Sequence, residues 1–293
     1  MLRGHPGSDN LGSVKTTIPE ELKQNVPSTK WGKILTVTPV VMTVVATLLA
    51  GLASSEMTTS QYDRALGAQL QSKAGDQWGY FQAKKMRGAM QKNSYELLQA
   101  TAEIHPLGNP ALEKIPALPA LDLDPLIEAA IHAVESQMPE SEIDVLLKPL
   151  GDKAISQALQ AAQDNVRAFD AANAPATQAM DQLEKSLPAG DKAAARDFIA
   201  ARMHHYAARY DAEAKLNQSI ANLYELQVRK ANISAERHHT RSGRFFYGML
   251  AAQAAVVIAT LAMAAQKRSL LWAVAAAAGL AAITFAIYVY LRV

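Results

Sequence analysis

Three stretches of this chain carry no charge for the length of a bilayer crossing, and most of the remainder places apolar residues at helical spacing. Residues 34–53 read ILTVTPVVMTVVATLLAGLA. Roughly 20 uncharged residues at about 1.5 Å each span a hydrocarbon core of about 30 Å. Residues 245–265 and 270–291 repeat the pattern, separated by Gln266, Lys267, Arg268 and Ser269. So short a connection makes the last two helices antiparallel neighbours. Trp31 and Lys33 flank the first stretch, and Trp272, Tyr288 and Tyr290 lie near the ends of the third, as interfacial residues do. Gly279 and the alanines at 275–278 offer a small face on which another helix can approach. The first stretch is longer than a signal-peptide core and follows a polar tail without a compact basic region, although the small residues at 50–55 leave cleavage open.

Between the first and second stretches the pattern is helical with proline punctuation. Residues 55–104 lack proline, and Leu66, Leu70, Gln77, Trp78, Phe81, Met86, Met90 and Leu97 recur near every third or fourth place. One long outgoing helix is expected there, continuous with the first span. Residues 191–244 predict its returning counterpart, marked by Phe198, Met203, Tyr206, Tyr210, Leu216, Ile220, Leu223 and Leu226. Residues 105–190 hold Pro106, Pro110, Pro116, Pro119, Pro125, Pro139, Pro149, Pro175 and Pro188, each unwelcome inside a helix. They predict short helices at 126–137, 140–147, 151–172 and 177–187, with start signals at Asp124-Pro125 and at 136–139. The expected fold is all-α: a polar tail at 1–30, spans at 31–54, 245–265 and 270–291, and a coiled-coil-like hairpin stalk carrying a small helical head at its far end.

Composition sharpens this picture by subtraction. The mean hydropathy of −0.03 resembles that of a soluble chain only because charge-free spans and a polar insert cancel. Twenty-nine lysines and arginines face 27 acidic residues, so bulk charge gives no reason to expect nucleic acid as a partner. The absence of cysteine removes disulfides, thiol nucleophiles and zinc-thiolate sites together. Nucleotide-binding loops, nucleophile elbows and zincin helices are absent too, so neither a cofactor nor an enzymatic activity is expected. Charges are also missing inside the spans, which argues against a proton relay. Thr36, Thr38, Thr43, Thr47, Gln253 and Thr284 are expected to bond between helices.

Arg3, Lys15, Lys23, Lys30 and Lys33 in the tail, with Lys267 and Arg268 in the hairpin, place both on the cytoplasmic side. The central region is then periplasmic or external. Arg229, Lys230, Arg237, Arg241 and Arg244 pull the other way, but long segments translocate largely regardless of charge.

SKAGDQWGYFQAKK at 72–85 follows a small-residue exit, LLAGLASSE, from the first span. It resembles the bacterial membrane-protein family known as domain of unknown function 4337, which carries a similar polar-aromatic stretch after its first span and ends in a tight basic two-span hairpin. The resemblance covers about 31–98 and the chain from about 237; Gly75 and Phe81 depart from it, where serine and tyrosine are expected. It implies a three-span layout and no particular chemistry.

Asp76, Gln77, Trp78, Tyr80, Phe81, Gln82, Lys84 and Lys85 form the densest polar-aromatic cluster. Gln77, Trp78, Phe81 and Lys85 share one helical face, whereas Asp76, Tyr80 and Lys84 follow one another at four-residue spacing on another. The cluster reads as a subunit or helix-pair contact in which aromatics anchor and polar groups set register, with a ligand or ion site as the alternative. His204-His205 and His238-His239 do not chelate as adjacent helical residues, which point about 100° apart. Arg237, His238, His239, Arg241 and Arg244, with Lys267 and Arg268, read as a collar for lipid headgroups. The pattern predicts a membrane-anchored scaffold or accessory subunit that self-assembles or docks on a larger complex. The alternative is a channel-like or transport-accessory assembly.

Overall fold

Residues 30–108, 116–264 and 270–292 are described in the computed structural model, and every element among them is an α-helix. The tail, the hairpin residues Lys267 and Arg268, and the side chains of Trp31, Lys33, Trp272 and Tyr290 lie outside what is described. Helix α1 runs Lys30–Thr101, α2 Pro125–Glu135, α3 Glu140–Leu147, α4 Asp152–Ser186, α5 Lys192–Ala264 and α6 Leu270–Arg292. The expected continuity of the first span with the outgoing helix holds, since α1 is unbroken over 72 residues with Pro39 inside it. The returning helix and the second span likewise join in the 73 residues of α5. Contacts divide the chain into two units, one of residues up to Glu56 and from Thr240 onward, the other Met57–His239.

In the first unit alanines make most of the buried contacts, with Met42, Leu49 and Phe245 the large side chains among them. Ala46, Ala252, Ala255, Ala259, Ala275 and Ala282 are buried, while Val40 and Leu48 are each 64% exposed and Leu280 66%. Ala46, Ala252 and Ala282 meet at one junction, and Leu49, Ala53 and Phe245 at another. A Cβ on Gly279 would stand 2.6 Å from Met42 Sδ, so a side chain here would have to displace the flexible end of Met42 where α6 meets α1. Burying alanine and exposing valine and leucine is unfavourable in water and natural in lipid, where close backbone approach drives helix association. Two helices, Thr36–Thr101 and Lys192–Met263, contain stretches long and apolar enough to cross a membrane; α6 is apolar over the shorter Ala273–Phe285. The expected bonding of threonines between helices is corrected at two positions. Thr43 Oγ1 donates to the Pro39 carbonyl at 2.8 Å and Thr47 Oγ1 to the Thr43 carbonyl at 2.9 Å, each within its own helix. A carbonyl four residues back is within reach of a hydroxyl facing lipid, so no neighbouring helix is needed.

The second unit buries large side chains. Ile127, Ile143, Leu147, Ile155, Leu223 and Leu226 form its main core, and Phe169, Ala212 and Leu216 a second one. The two long helices run antiparallel: Ser60 Oγ donates to the Ala235 carbonyl at 2.8 Å, and the Tyr95 and His204 rings lie 5.1 Å apart. Helices α2, α3 and α4 cover the side of α5 between Ile220 and Leu226. That corrects the expected head: the short helices lie alongside the long pair, with Ile127, Ile143 and Ile155 packed in one core with Leu223 and Leu226.

Three boundaries also differ from expectation. Helix α1 ends at Thr101, not 104. Ser136 closes α2 instead of starting α3, and Gln137, at φ 52°, makes the left-handed turn between them. Most plainly, Pro175 does not divide α4, which continues for 35 residues. Pro175 faces solvent, while Phe169, Asn173, Ala176 and Met180 keep the opposite side buried. An interior proline costs about 3 kcal/mol, comparable to the gain of about 1.5–3 kcal/mol from burying one large apolar side chain. The start signal at Asp124 succeeds, since Leu126 N–H donates to Asp124 Oδ1 at 2.8 Å; Asp191 caps α5 in the same way, accepting from Ala193 and Ala194 N–H at 3.0 Å.

Candidate functional site

The polar-aromatic cluster of α1 divides between two faces. Gln77, Trp78, Phe81 and Lys84 are half-buried, whereas Asp76, Tyr80, Gln82 and Lys85 are exposed. The Trp78 and Phe81 rings meet edge-to-face with centroids 5.5 Å apart. Lys85, expected to share the face of the aromatics, instead donates to Asp211 at 3.1 Å from an exposed position.

Small residues explain how α1 and α5 come so close. Ser60, Gly67, Ala74 and Gly88 fall at multiples of seven and are all buried. A Cβ on Gly67 would lie 3.0 Å from Asn232 Oδ1, and one on Gly88 3.4 Å from the Ala207 carbonyl. Ala207, Ala214, Ala221 and Ala235 recur at the same interval on α5, and the last three are buried. A helix repeating every seven residues keeps one seam on its partner.

Where the seam meets Lys84, charges interlock across three helices. Lys84 pairs with the buried Glu213 and lies over the Tyr210 ring at 5.2 Å. Arg209 Nε donates to Glu213 Oε1 at 2.7 Å, and its Nη1 to Thr177 of α4 at 3.2 Å. Asp211 accepts from Lys85 and lies 3.1 Å from Lys215. The hydrogen bond from Lys215 lowers the Asp211 carboxyl below its ordinary 3.8; burial opposes this, and Lys85 adds to it. This network fixes register and satisfies partly buried charge, as helix-packing polar groups do.

A second polar region is a groove of about 470 Å³ bordered by Gln71, Glu140, Asp144, Glu225, Arg229 and Glu236. Burial works against the charge of Arg229, but hydrogen bonds to Glu140 and then Glu225 outweigh it and raise its pKa. Near the start of α5, burial pushes the Asp197 carboxyl up. The His105 backbone N–H and the Arg196 guanidinium outweigh burial and hold it below 3.8.

Among the collar residues Arg237 and His239 are exposed, and His238, Arg241 and Arg244 half-buried. Arg241 lies 4.0 Å from Glu56. His204 is exposed and His205 buried, so that pair divides between faces as its spacing predicts. No group of three or more histidine or carboxylate side chains among the described residues is placed to hold a metal ion.

The stretch that carries the outer cluster and the small-residue seam is also the one that comparison recognises. Residues 31–118 match the family described as "Domain of unknown function (DUF4337)". The DUF4337 match takes in all but the first residue of α1 and stops before α2, well under half of the chain. It covers the first part of the resemblance read from the sequence and not the C-terminal part. No curated protein and no solved structure matches the chain. Lys84 with Glu213, and the seven-residue recurrence, are the contacts that sequence reasoning passed over; the spacing of Ser60, Gly67 and Ala74 was the available signal.

Proposed function

We propose that this protein is a membrane-anchored helical scaffold or accessory subunit that self-assembles or docks on a larger membrane complex. The first unit, with alanines making most of its buried contacts and Val40, Leu48, Val257 and Leu280 turned outward, carries the reading: it has the surface of a lipid-embedded anchor. On this reading α6 is a third span, paired with the second. Helices α1 and α5 make the stalk, and α2 to α4 brace it. The polar clusters of the second unit support the same role, since Lys84 with Glu213, Arg209 with Thr177, Lys85 with Asp211 and Arg229 with Glu140 each join two helices. Lipid headgroups are the partners of the collar, Arg237 to Arg244, and the second unit lies on the periplasmic face of a bacterial inner membrane.

Native mass measurement of the complex extracted in its own lipid tests this. A mass at a multiple of 31.5 kDa, or one shared with unrelated chains in fixed proportion, is expected. A lone 31.5 kDa chain would overturn the assembly reading. Protease added to spheroplasts should cleave between 105 and 125, and protection there would reverse the orientation.

A further inference from the structure

The face of α1 turned away from α5 is unlike an ordinary solvated helix surface. Tyr62, Met86, Met90 and Leu97 are 68%, 64%, 62% and 67% exposed, respectively. They lie on one stripe that keeps alternating steps of three and four from Tyr62 through Gln69, Ser72, Gly79, Ala83 and Asn93 to Leu97, apolar chiefly from Gly79 to Met90. Of the charged residues in this part of α1, only Asp76 falls on the stripe. Nothing lies within 4 Å of a Cβ built on Gly79. The geometry points to a second copy of this chain as the occupant, its α1 packed parallel and in register against this stripe.

This inference rests on the membrane-anchored, self-assembling reading above and names the surface that would assemble. Three observations favour a second copy. The stripe lies beyond the apolar stretch of α1, so lipid does not cover it. Helix α1 leaves the membrane in the same direction in every copy, which makes like residues meet in parallel layers. Charges on its flank are compatible with that register: a residue on one flank meets the residue five places away on the opposite flank of the other copy. Lys73 and Arg87 would then face the neutral Ala68 and Gln82 of the other copy. On its opposite side α1 already packs a helix through small residues at the same interval, with Gly67 and Gly88 against α5. Asp76 is the charged layer, which opposes pairing because it would meet its own copy, and Gln69, Ser72 and Asn93 are polar layers that set register at a cost in stability.

The chain has no cysteine, so single cysteines report contacts directly. Gly79→Cys, Ala83→Cys, Met86→Cys and Met90→Cys, oxidised in membranes, should give mostly cross-linked dimer, while the exposed Gln71→Cys, Lys92→Cys and Gln99→Cys stay near background. Asp76→Asn should raise the yield at position 79. In the unlinked protein, Met86→Arg with Met90→Arg should shift the native mass toward the single chain with the thermal unfolding midpoint unchanged. Cross-links at 71, 92 or 99 in place of the stripe would overturn this surface and leave self-assembly standing. A native complex containing one copy of this chain among unrelated subunits would also overturn this surface and leave the scaffold reading intact. No cross-link anywhere, together with a 31.5 kDa mass, would overturn both.

Discussion

Glycines separate positions that packing demands from positions that it does not. Gly67 meets Asn232 Oδ1 at Cβ distance, whereas Gly75, eight residues on, has nothing within 4 Å. Gly67→Leu must push α1 and α5 apart and should cost about 1–3 kcal/mol, as overpacking does. Gly75→Ala adds helix propensity in open space and should gain about 1 kcal/mol. Thermal unfolding in detergent, followed by circular dichroism, should show midpoints moving in opposite directions. Acid sensitivity is also set by single residues. Asp197 and Asp211 have pKa values lowered in the folded chain from an ordinary 3.8. Their stabilising contribution is therefore complete above that value and is lost as pH falls below about 4 toward the folded values. Asp211→Asn should flatten the fall in unfolding midpoint across this window and lower the midpoint at neutral pH. An equally steep fall in the variant would place the acid-labile groups elsewhere.

At the scale of elements, long apolar periodicity was legible and its interruptions were less so. The extents of α1 and α5 follow from charge-free stretches running into amphipathic ones, and Asp124 and Asp191 announce helix starts through their side-chain oxygens. The seam of Ser60, Gly67, Ala74 and Gly88 was not read, because small residues contribute little to a hydrophobic pattern while controlling how near two backbones come. Cluster members at 76–85 were identified, but their faces were assigned only in part: Phe81 is half-buried, whereas Lys85 is exposed. Local chemistry marks Pro175 as a break; the buried row from Phe169 to Met180 overrides it. Pro175→Ala should restore a backbone donor, keep the helix continuous and raise the unfolding midpoint, by up to about 3 kcal/mol of stability. A lower midpoint would mean that the proline shapes the packing of α4 on α5.

For the whole molecule, the two units differ in what they bury: large aliphatic side chains dominate the main core of one, and alanines most of the buried contacts of the other. Residues Met57–His239 bury Ile127, Leu147, Phe169 and Leu226, as a chain folding in water does. The other unit buries alanine and turns Val40, Leu48, Val257 and Leu280 outward. A single charge, net +2, and a single mean hydropathy conceal this division. The central claim is that lipid covers one unit and water the other. Labelling of single cysteines by a membrane-impermeant maleimide, in intact and then solubilised membranes, tests it directly. Cysteines at Val40, Leu48, Val257 and Leu280 should resist labelling until the bilayer is dissolved, while cysteines at Gln71 and Gln99 label in membranes open to the reagent on both faces. Rapid labelling at the first four positions in intact membranes would contradict the account.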